Sequence, residues 1–340
     1  MSKFKTITLQ DLANELNVSK VTISKALRDH PDIAPETKRK IKQLAAKRGY
    51  TPNLMARNLA ARQTFTLGLV TPKIAHSFFA RVIETFYNCA FEQGYEVVLM
   101  VSQEEEQRQI KHLQTLMSMK VDGILISVAQ NTRDLTIFEE IKKRNIPLVF
   151  FDRIVPDLGF STVSADDYKG GLLAVQQAFK AGYRHLAHVA GSFTTQIGRE
   201  RLRGFKDGLK KFDLPFVEEW VVESGYSEQA GYRAAQKLLN QMQLPEVIFG
   251  VTFPATLGIL TALQENGLKV PQDMDLIAFG DSQFNRFLKP AITCIDQPTE
   301  NLAQSAFNLL MDTIKNKEEF AIQNQVIPVK LKEYDTCRSK

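Results

Sequence analysis

The chain has 340 residues, 44% apolar and 24% charged, enough for more than one domain and too apolar for wholesale disorder. No run of about 18 apolar residues is present, so no membrane span is expected. The three cysteines, Cys89, Cys294 and Cys337, are far apart and form no Cys-x-x-Cys pair. That fits a reducing cytosol and argues against a disulfide framework or a cysteine zinc site. The polar stretch 1–10 lacks the apolar core of a signal peptide, so a cytoplasmic location is expected.

The net charge of +5 is unevenly spread. Residues 1–62 hold 13 Lys/Arg against 5 Asp/Glu, a balance of +8, and the other 278 residues carry −3. Such asymmetry points to a polyanion partner for the N-terminal block.

That block reads as three short helices. Leu9, Leu12, Ala13 and Leu16 form an apolar stripe at helical spacing, and Thr8 with Asp11 makes an N-terminal capping pattern. After a turn at Asn17-Val18, Ser19 can cap a second helix with Ile23, Ala26 and Leu27 inward. A third helix runs from about Pro35 to Arg48 on Ile41, Leu44 and Ala45, with Gly49 as its stop. Two short helices joined by a tight turn, then a third, form a helix-turn-helix unit whose second helix enters the major groove. Lys20 and Val21 then face base edges, with Thr22 and Lys25 one turn later. A lysine donates to guanine acceptors, and a valine contacts a thymine methyl. The Ser19 and Thr22 hydroxyls suit phosphate.

Residues 51–61 follow. Thr51-Pro52 offers a cap and a first helical residue, and Asn53 to Ala61 are good helix formers. A helix of about nine residues is marginal alone in water, so this segment is expected to order only against a partner.

From Thr66 on, strand runs (66–70, 96–101, 123–127, 148–151, 185–190, 247–251, 275–279) alternate with helical runs (79–93, 107–119, 135–144, 170–181, 199–212, 228–241, 255–266). The alternation predicts parallel sheets covered on both faces. An interruption near 161–167 predicts two lobes of the periplasmic-binding-protein type, with a ligand cleft beyond the carboxyl ends of the strands.

Ile7-Thr8-Leu9-Gln10-Asp11-Leu12-Ala13, the run Val18 to Leu27 and Gly49-Tyr50-Thr51-Pro52-Asn53 resemble the headpiece of the lactose-repressor (LacI/GalR) family of bacterial transcription regulators. Ser77-Phe78-Phe79, Val121-Asp122-Gly123-Ile124-Leu125, the run Arg199 to Phe205 and Gln297-Pro298 extend the likeness along the chain. The resemblance implies an all-α helix-turn-helix headpiece (1–49), a hinge helix (50–62) and an α/β two-lobed, periplasmic-binding-protein-like domain (63–340) of two Rossmann-like parallel-sheet subdomains. The lobes would comprise 63–162 with 295–326, and 163–294 with 327–340. The implied function is a homodimeric, sequence-specific DNA-binding regulator, a repressor, of the bacterial cytoplasm. It would bind double-stranded, pseudo-palindromic operator DNA under control of a small-molecule effector, a sugar or sugar derivative. No cofactor, metal or membrane partner is implied.

The implied DNA contacts are Thr8, Ser19, Lys20, Val21, Thr22, Ser24, Lys25, Arg28, Asn53, Arg57 and Leu59. Leu59 takes the place of the family leucine that wedges between base pairs, where unstacking costs a few kcal/mol and bending recovers it. A linker leucine packed on its own domain is the plain alternative. The implied effector contacts are Phe78, Phe79, Asp152, Arg201, Tyr226, Thr252, Phe253 and Asp281. Arg201 offers planar donors to hydroxyls or carboxylate. Asp152 accepts from hydroxyls, and Phe78, Phe79 and Tyr226 form aromatic walls. Phe79 and Phe253 could equally be core.

Some positions depart from the family pattern. Lys25 and Ala34 stand where the family often has Arg and Ser. Loss of the serine forfeits a side-chain cap worth about 1 kcal/mol. Thr252-Phe253 replaces a common Asn-Asp, Gly280 an acid that returns one residue later as Asp281, and Tyr334 a common Arg. His185 and His188, read as one strand, face opposite sides and cannot share a metal. Asp166 and Asp167 point apart if extended.

Two other classes compete. A solute-binding protein for transport predicts a signal peptide and no basic headpiece. A two-lobed sugar-modifying enzyme predicts an acid–base or nucleophile set, and neither a phosphate-cradling loop nor a Gly-x-Ser-x-Gly elbow occurs.

Overall fold

The computed structural model describes residues 7–27, 29–50, 63–316 and 321–338. The chain divides into two compact units, Met1–Thr64 and Phe65–Lys340.

The first unit holds α1 (Leu9–Glu15), α2 (Lys20–Leu27) and α3 (Pro35–Arg48). Thr8 and Asp11 form a reciprocal capping box, each side chain bonding the other's backbone N–H. Asn17 (φ 52°) turns the chain in the left-handed region, and the Ser19 hydroxyl then accepts from the Thr22 N–H at 3.0 Å. At the start of α3, Ala34 makes no side-chain cap, and Pro35 opens the helix. Gly49 ends it at φ 65°. Leu12, Ala13, Ile23, Ala26, Ile41 and Ala45 close one small core, with Leu27 and Leu44 at its edge.

The second unit has two six-stranded sheets. Its elements run β1 (Thr66–Thr71), α4 (Ser77–Glu92), β2 (Glu96–Val101), α5 (Glu106–Met119), β3 (Gly123–Ile126), α6 (Thr136–Lys143), β4 (Leu148–Phe151) and β5 (Ser161–Ala165). Then come α7 (Asp167–Lys180), β6 (Leu186–Ala190), α8 (Gln196–Lys211), β7 (Val221–Glu223), α9 (Glu228–Leu239), β8 (Val247–Gly250), α10 (Phe253–Glu265), β9 (Asp275–Phe279) and β10 (Thr293–Asp296). The chain ends with α11 (Thr299–Lys315), β11 (Asn324–Ile327) and β12 (Lys330–Lys332).

The first sheet has the order β11-β5-β4-β3-β1-β2, and the second β12-β10-β9-β8-β6-β7. All pairings are parallel except β10 with β12. Helices α4 and α11 bury Phe79, Phe86, Leu302 and Leu310 on one face of the first sheet, and the same apolar cluster continues onto α7 and α8 of the second lobe. Helices α5 and α6 cover the other face of the first sheet, while α9 and α10 cover the second.

The chain passes between sheets after β5, after β10 and after β11. The expected divisions at 162/163, 294/295 and 326/327 fall inside β5, β10 and β11, so they move to 165, 296 and 327. All three strands are short, and none carries a sequence mark at its lobe boundary. Five helices, α4, α5, α7, α8 and α10, also begin earlier than the sequence suggests, and the last three have side-chain caps. Asp166, Thr195 and Thr252 cap them by accepting from Lys169, Gly198 and Ala255 N–H groups. The glycines that blur the helical pattern near 170 and 198 lie inside the first turns. Asp166 and Asp167 are therefore not an extended pair: one caps α7 and the other begins it.

Candidate functional site

On the first unit, Lys20 and Val21 open α2, and Val21 is 63% exposed. An apolar side chain left in solvent on the first turn of a helix is available to a partner. Thr8, Ser19, Lys20 and Val21 are exposed, and Thr22, Ser24 and Lys25 half-buried. Several of these polar groups already have partners. The Ser19 and Thr22 hydroxyls bond each other at 2.8 Å, and Lys25 pairs with Asp32 at 2.8 Å. Arg28, Asn53, Arg57 and Leu59 lie outside the described residues, as does all of 51–62.

In the second unit, the eight residues expected to contact an effector all line one cavity of about 40 Å³ between the lobes. The first lobe supplies Phe78 and Phe79 from the start of α4 and Asp152 from the residue after β4. The second supplies Arg201 from α8, Tyr226, Thr252 and Phe253 at the start of α10, and Asp281 after β9. The carboxyl ends of parallel strands thus converge here, where open α/β sheets hold ligands.

Several of these side chains are already engaged. Arg201 donates from Nη1 to the Val251 carbonyl at 2.6 Å and lies 3.5 Å from the centre of the Phe279 ring. Its Nε and Nη2 pair with Asp167, a buried residue outside the expected set. Burial pushes the Asp167 carboxyl up to about 7, although the Arg201 charge pulls it down. Asp152 is buried at φ 58°, a left-handed conformation that aspartate tolerates better than most residues. Burial raises its pKa, and the charges of Arg153 and Arg201 oppose the rise.

Thr252 donates to the Tyr226 carbonyl at 2.9 Å while capping α10, so its hydroxyl holds the cleft wall in shape. Asp281 is tied to Lys332 and the Tyr334 hydroxyl, each at 3.2 Å. This gives Tyr334 a physical account: it donates to the shifted carboxylate. Phe79 meets Phe151 edge-on at 6.3 Å, and Phe253 packs in the core under α10, so both are core residues with one side at the cavity.

Two residues at the cleft have no signal in sequence spacing. Arg153 reaches both carboxylate oxygens of Glu104, at 2.9 and 2.8 Å, and its guanidinium lies 4.4 Å from the centre of the Tyr226 ring in the other lobe. Burial opposes its charge, and Glu104 holds it charged. Tyr226 in turn bonds Thr195 through its hydroxyl, and burial raises its pKa. His76 precedes α4; burial, with the Arg153 charge, pushes it down to about 4, so it is neutral. A second tie between lobes runs from the Thr194 hydroxyl to the Gln130 carbonyl at 2.9 Å.

His185 lies just before β6 and pairs with Glu246 at 3.3 Å. His188 is stacked on Phe249 in the core. No cluster of three or more metal-ligating side chains occurs among the described residues, and among them no helix is long and apolar enough to cross a membrane.

A helix-turn-helix unit joined to two sheets facing each other over a polar and aromatic cleft defines a DNA-binding regulator with a small-molecule sensor. The family models agree. That for the periplasmic binding proteins and sugar binding domain of the LacI family matches residues 64–335, and that for the bacterial regulatory proteins of the lacI family matches residues 8–53. The chain is 32% identical over 322 residues to the HTH-type transcriptional repressor PurR of Photorhabdus laumondii subsp. laumondii, covering 94% of each chain. Among solved structures, a Lac repressor dimer bound to operator and the anti-inducer ONPF matches with a TM-score of 0.87 at 22% identity, over 98% of this chain and 99% of that one. The transcriptional regulator CelR in complex with cellobiose matches with a TM-score of 0.74 at 25% identity, over 97% and 99%. The chain belongs to the LacI family of bacterial transcriptional regulators: a DNA-binding protein controlled by a small-molecule effector.

Proposed function

We propose that this chain is a homodimeric repressor that binds a pseudo-palindromic operator and responds to a carbohydrate held between its lobes. The observation that carries the effector reading is the convergence of Phe78, Phe79, Asp152, Arg201, Tyr226, Thr252, Phe253 and Asp281 on one cleft. Aromatic faces with buried hydroxyl acceptors and donors suit a polyhydroxylated ring. The match to a regulator holding cellobiose and to a sugar-binding domain model supports the same ligand class.

In this reading Asp152 and Arg201 hold ligand oxygens, the aromatic residues form its walls, and Thr252 and Asp281 shape the second-lobe rim. Residues 1–49 read DNA, with Thr8, Ser19, Lys20, Val21, Thr22, Ser24, Lys25 and Arg28 at the major groove and backbone. The 50–62 hinge contributes Asn53, Arg57 and Leu59 in the minor groove. The ligand changes operator affinity only through its differential affinity for two lobe arrangements that set the spacing of the paired hinges.

The test is a thermal-shift screen of the full chain with sugars, sugar phosphates and purines, followed by operator selection with and without each hit. Stabilisation by a neutral sugar, with a matching change in affinity for a palindromic site, is the expected result. Stabilisation by purines alone would overturn the carbohydrate assignment, and a monomer binding asymmetric sites would overturn the dimer.

A further inference from the structure

Helix α2 carries two lysines, and they are not alike. Among the described residues, the headpiece ion pairs join Lys25 and His30 to Asp32, Lys40 to Glu36, Lys42 to Asp29 and Arg48 to Glu15. Lys20, in the exposed first turn, has no carboxylate in that set, whereas Lys25 has one. Lys25 stands four residues after the exposed Val21, so the two share one face of the helix. Its Nζ donates to Asp32 Oδ2 at 2.8 Å. Asp32 comes from the segment between α2 and α3, where its N–H donates to His30 Nδ1 at 3.4 Å. The hydrogen bond from Lys25 holds the Asp32 carboxyl below its ordinary value, so it is ionised at neutral pH.

The carboxylate is the more exposed partner, 57% against 34% for Lys25, and it stands at the margin of the face that Val21 and Lys25 share. An ion pair this exposed adds little stability. Beside a face that meets a polyanion, a carboxylate also opposes binding to any phosphate backbone. Its effect on Lys25 is more selective. A free ammonium on a flexible four-carbon stem reaches any phosphate within range. An ammonium held by a carboxylate has lost that freedom and most of its net charge. Its remaining N–H groups still donate to guanine O6 and N7. Attraction to phosphate depends on charge, and base reading depends on where the donors point. Asp32 therefore weakens the first more than the second.

We infer that Asp32 is a positioning residue for DNA recognition: it withholds Lys25 from phosphate and presents it to a base edge, so that the headpiece discriminates by binding the wrong DNA less tightly. The inference rests on the reading above of Lys25 as a DNA contact and adds the residue that sets its selectivity.

The test is fluorescence anisotropy of the full-length protein from 50 to 200 mM salt. The two duplexes are the operator selected by the wild type and a random sequence of equal length. Asp32→Asn should bind the random duplex about five- to tenfold more tightly at 100 mM salt, with a salt slope steeper by about 0.9, because one more phosphate is neutralised. Operator affinity should rise less, so the ratio of the two affinities falls. Asp32→Glu keeps a carboxylate and should keep most of the wild-type ratio. Glu15→Gln makes the same change of charge and frees Arg48 at the far ends of α1 and α3. It should leave the ratio near that of the wild type, and an equal fall there would show that net charge, not position, is responsible. In a Lys25→Met background Asp32→Asn should no longer change the ratio, and an undiminished effect would show that Asp32 acts without Lys25. An unchanged ratio in Asp32→Asn, or an equal loss of affinity for both duplexes, would overturn the inference and leave the reading of Lys25 standing. If Lys25→Met alone changes neither affinity, that reading falls and the inference with it.

Discussion

Arg201 Nη2 lies 2.8 Å from Asp167 Oδ1, and neither side chain is more than 2% exposed. The pair joins α7 to α8 beneath the cleft, and the same guanidinium holds the Val251 carbonyl at the end of β8. Arg201 is therefore a structural tie as well as a candidate ligand contact. Removing one partner of a buried ion pair leaves an uncompensated charge, at a cost of about 3–5 kcal/mol. Arg201→Met should lower unfolding stability, at pH 7 by less than that amount, because the Asp167 carboxyl, already pushed up to about 7, takes up a proton once its cation is gone. The double variant Arg201→Met/Asp167→Leu should recover much of it, because an apolar pair of similar volume removes both buried charges. Urea unfolding of the two variants decides the matter: a double variant less stable than the single would show that the pair does not act as a unit.

The two helices approach closely because glycines face backbone across their contact. A Cβ on Gly204 would meet the Tyr168 carbonyl oxygen at 2.0 Å, and one on Gly171 the Arg201 carbonyl oxygen at 2.2 Å. Backbone cannot step aside as a side chain can, so Gly204→Ala must push α7 and α8 apart. Overpacking of this kind costs about 1–3 kcal/mol, occasionally more. Gly208→Ala is the internal comparison, because its Cβ would meet only the Val175 side chain, at 2.8 Å. Chemical denaturation should rank Gly204→Ala as the more destabilising. Equal costs would mean that the helix separation is not set at Gly204.

These relationships show where the sequence was legible and where it was not. The headpiece follows from local rules: the Thr8–Asp11 box, the left-handed Asn17 turn and the Ile41 and Ala45 stripe all act within a few residues. The alternating runs of the α/β unit are equally local. Asp167 is different, since its partner stands 34 residues away on another helix, and beside Asp166 it has nothing to mark it. Arg153 and His76 gain their meaning only when two lobes close around Tyr226. The edge strands β7, β11 and β12 are three or four residues long and largely unburied, so they lack the apolar run that announces a strand. Tyr334 became intelligible through Asp281, which is 53 residues earlier in the chain.

Buried histidines give the molecule an acid limit. His188 is sealed between Phe249 and Phe205, and its Nδ1–H donates to the Phe249 carbonyl at 2.9 Å. Burial pushes its pKa down from 6.5 to about 4. Between those values the unfolded chain holds a proton that the folded one refuses, so stability is full above pH 6.5 and falls as pH drops toward 4. The shift is worth about 3 kcal/mol across the window, and His76 acts in the same direction. Asp167, protonated up to about 7 when folded, works the other way, gaining stability as pH falls. The difference between wild type and His188→Phe isolates the histidine. The variant should lose about 1 kcal/mol at pH 7.5 with its hydrogen bond, then converge on or overtake the wild type by pH 4.5. Urea midpoints that keep a constant gap across this range would show that His188 does not titrate in the window.

In the proposed reading of DNA, the headpiece separates base reading from charge. Val21 and Lys20 share the exposed first turn of α2, one apolar and one cationic. Val21→Ala should cost about 1–3 kcal/mol at sites that present a thymine methyl there, and little elsewhere, with the salt dependence unchanged. Lys25→Gln should do less than a free lysine would, because Asp32 already holds that ammonium at 2.8 Å. Each lost phosphate contact should lower the magnitude of the salt slope by about 0.9. All of that slope should come from the +8 block of residues 1–62, since the remaining residues carry −3. A fragment comprising the second unit should therefore keep its thermal response to ligand and lose DNA binding. Anisotropy titrations of both proteins from 50 to 200 mM salt test the division, and a fragment that retained the full slope would refute it.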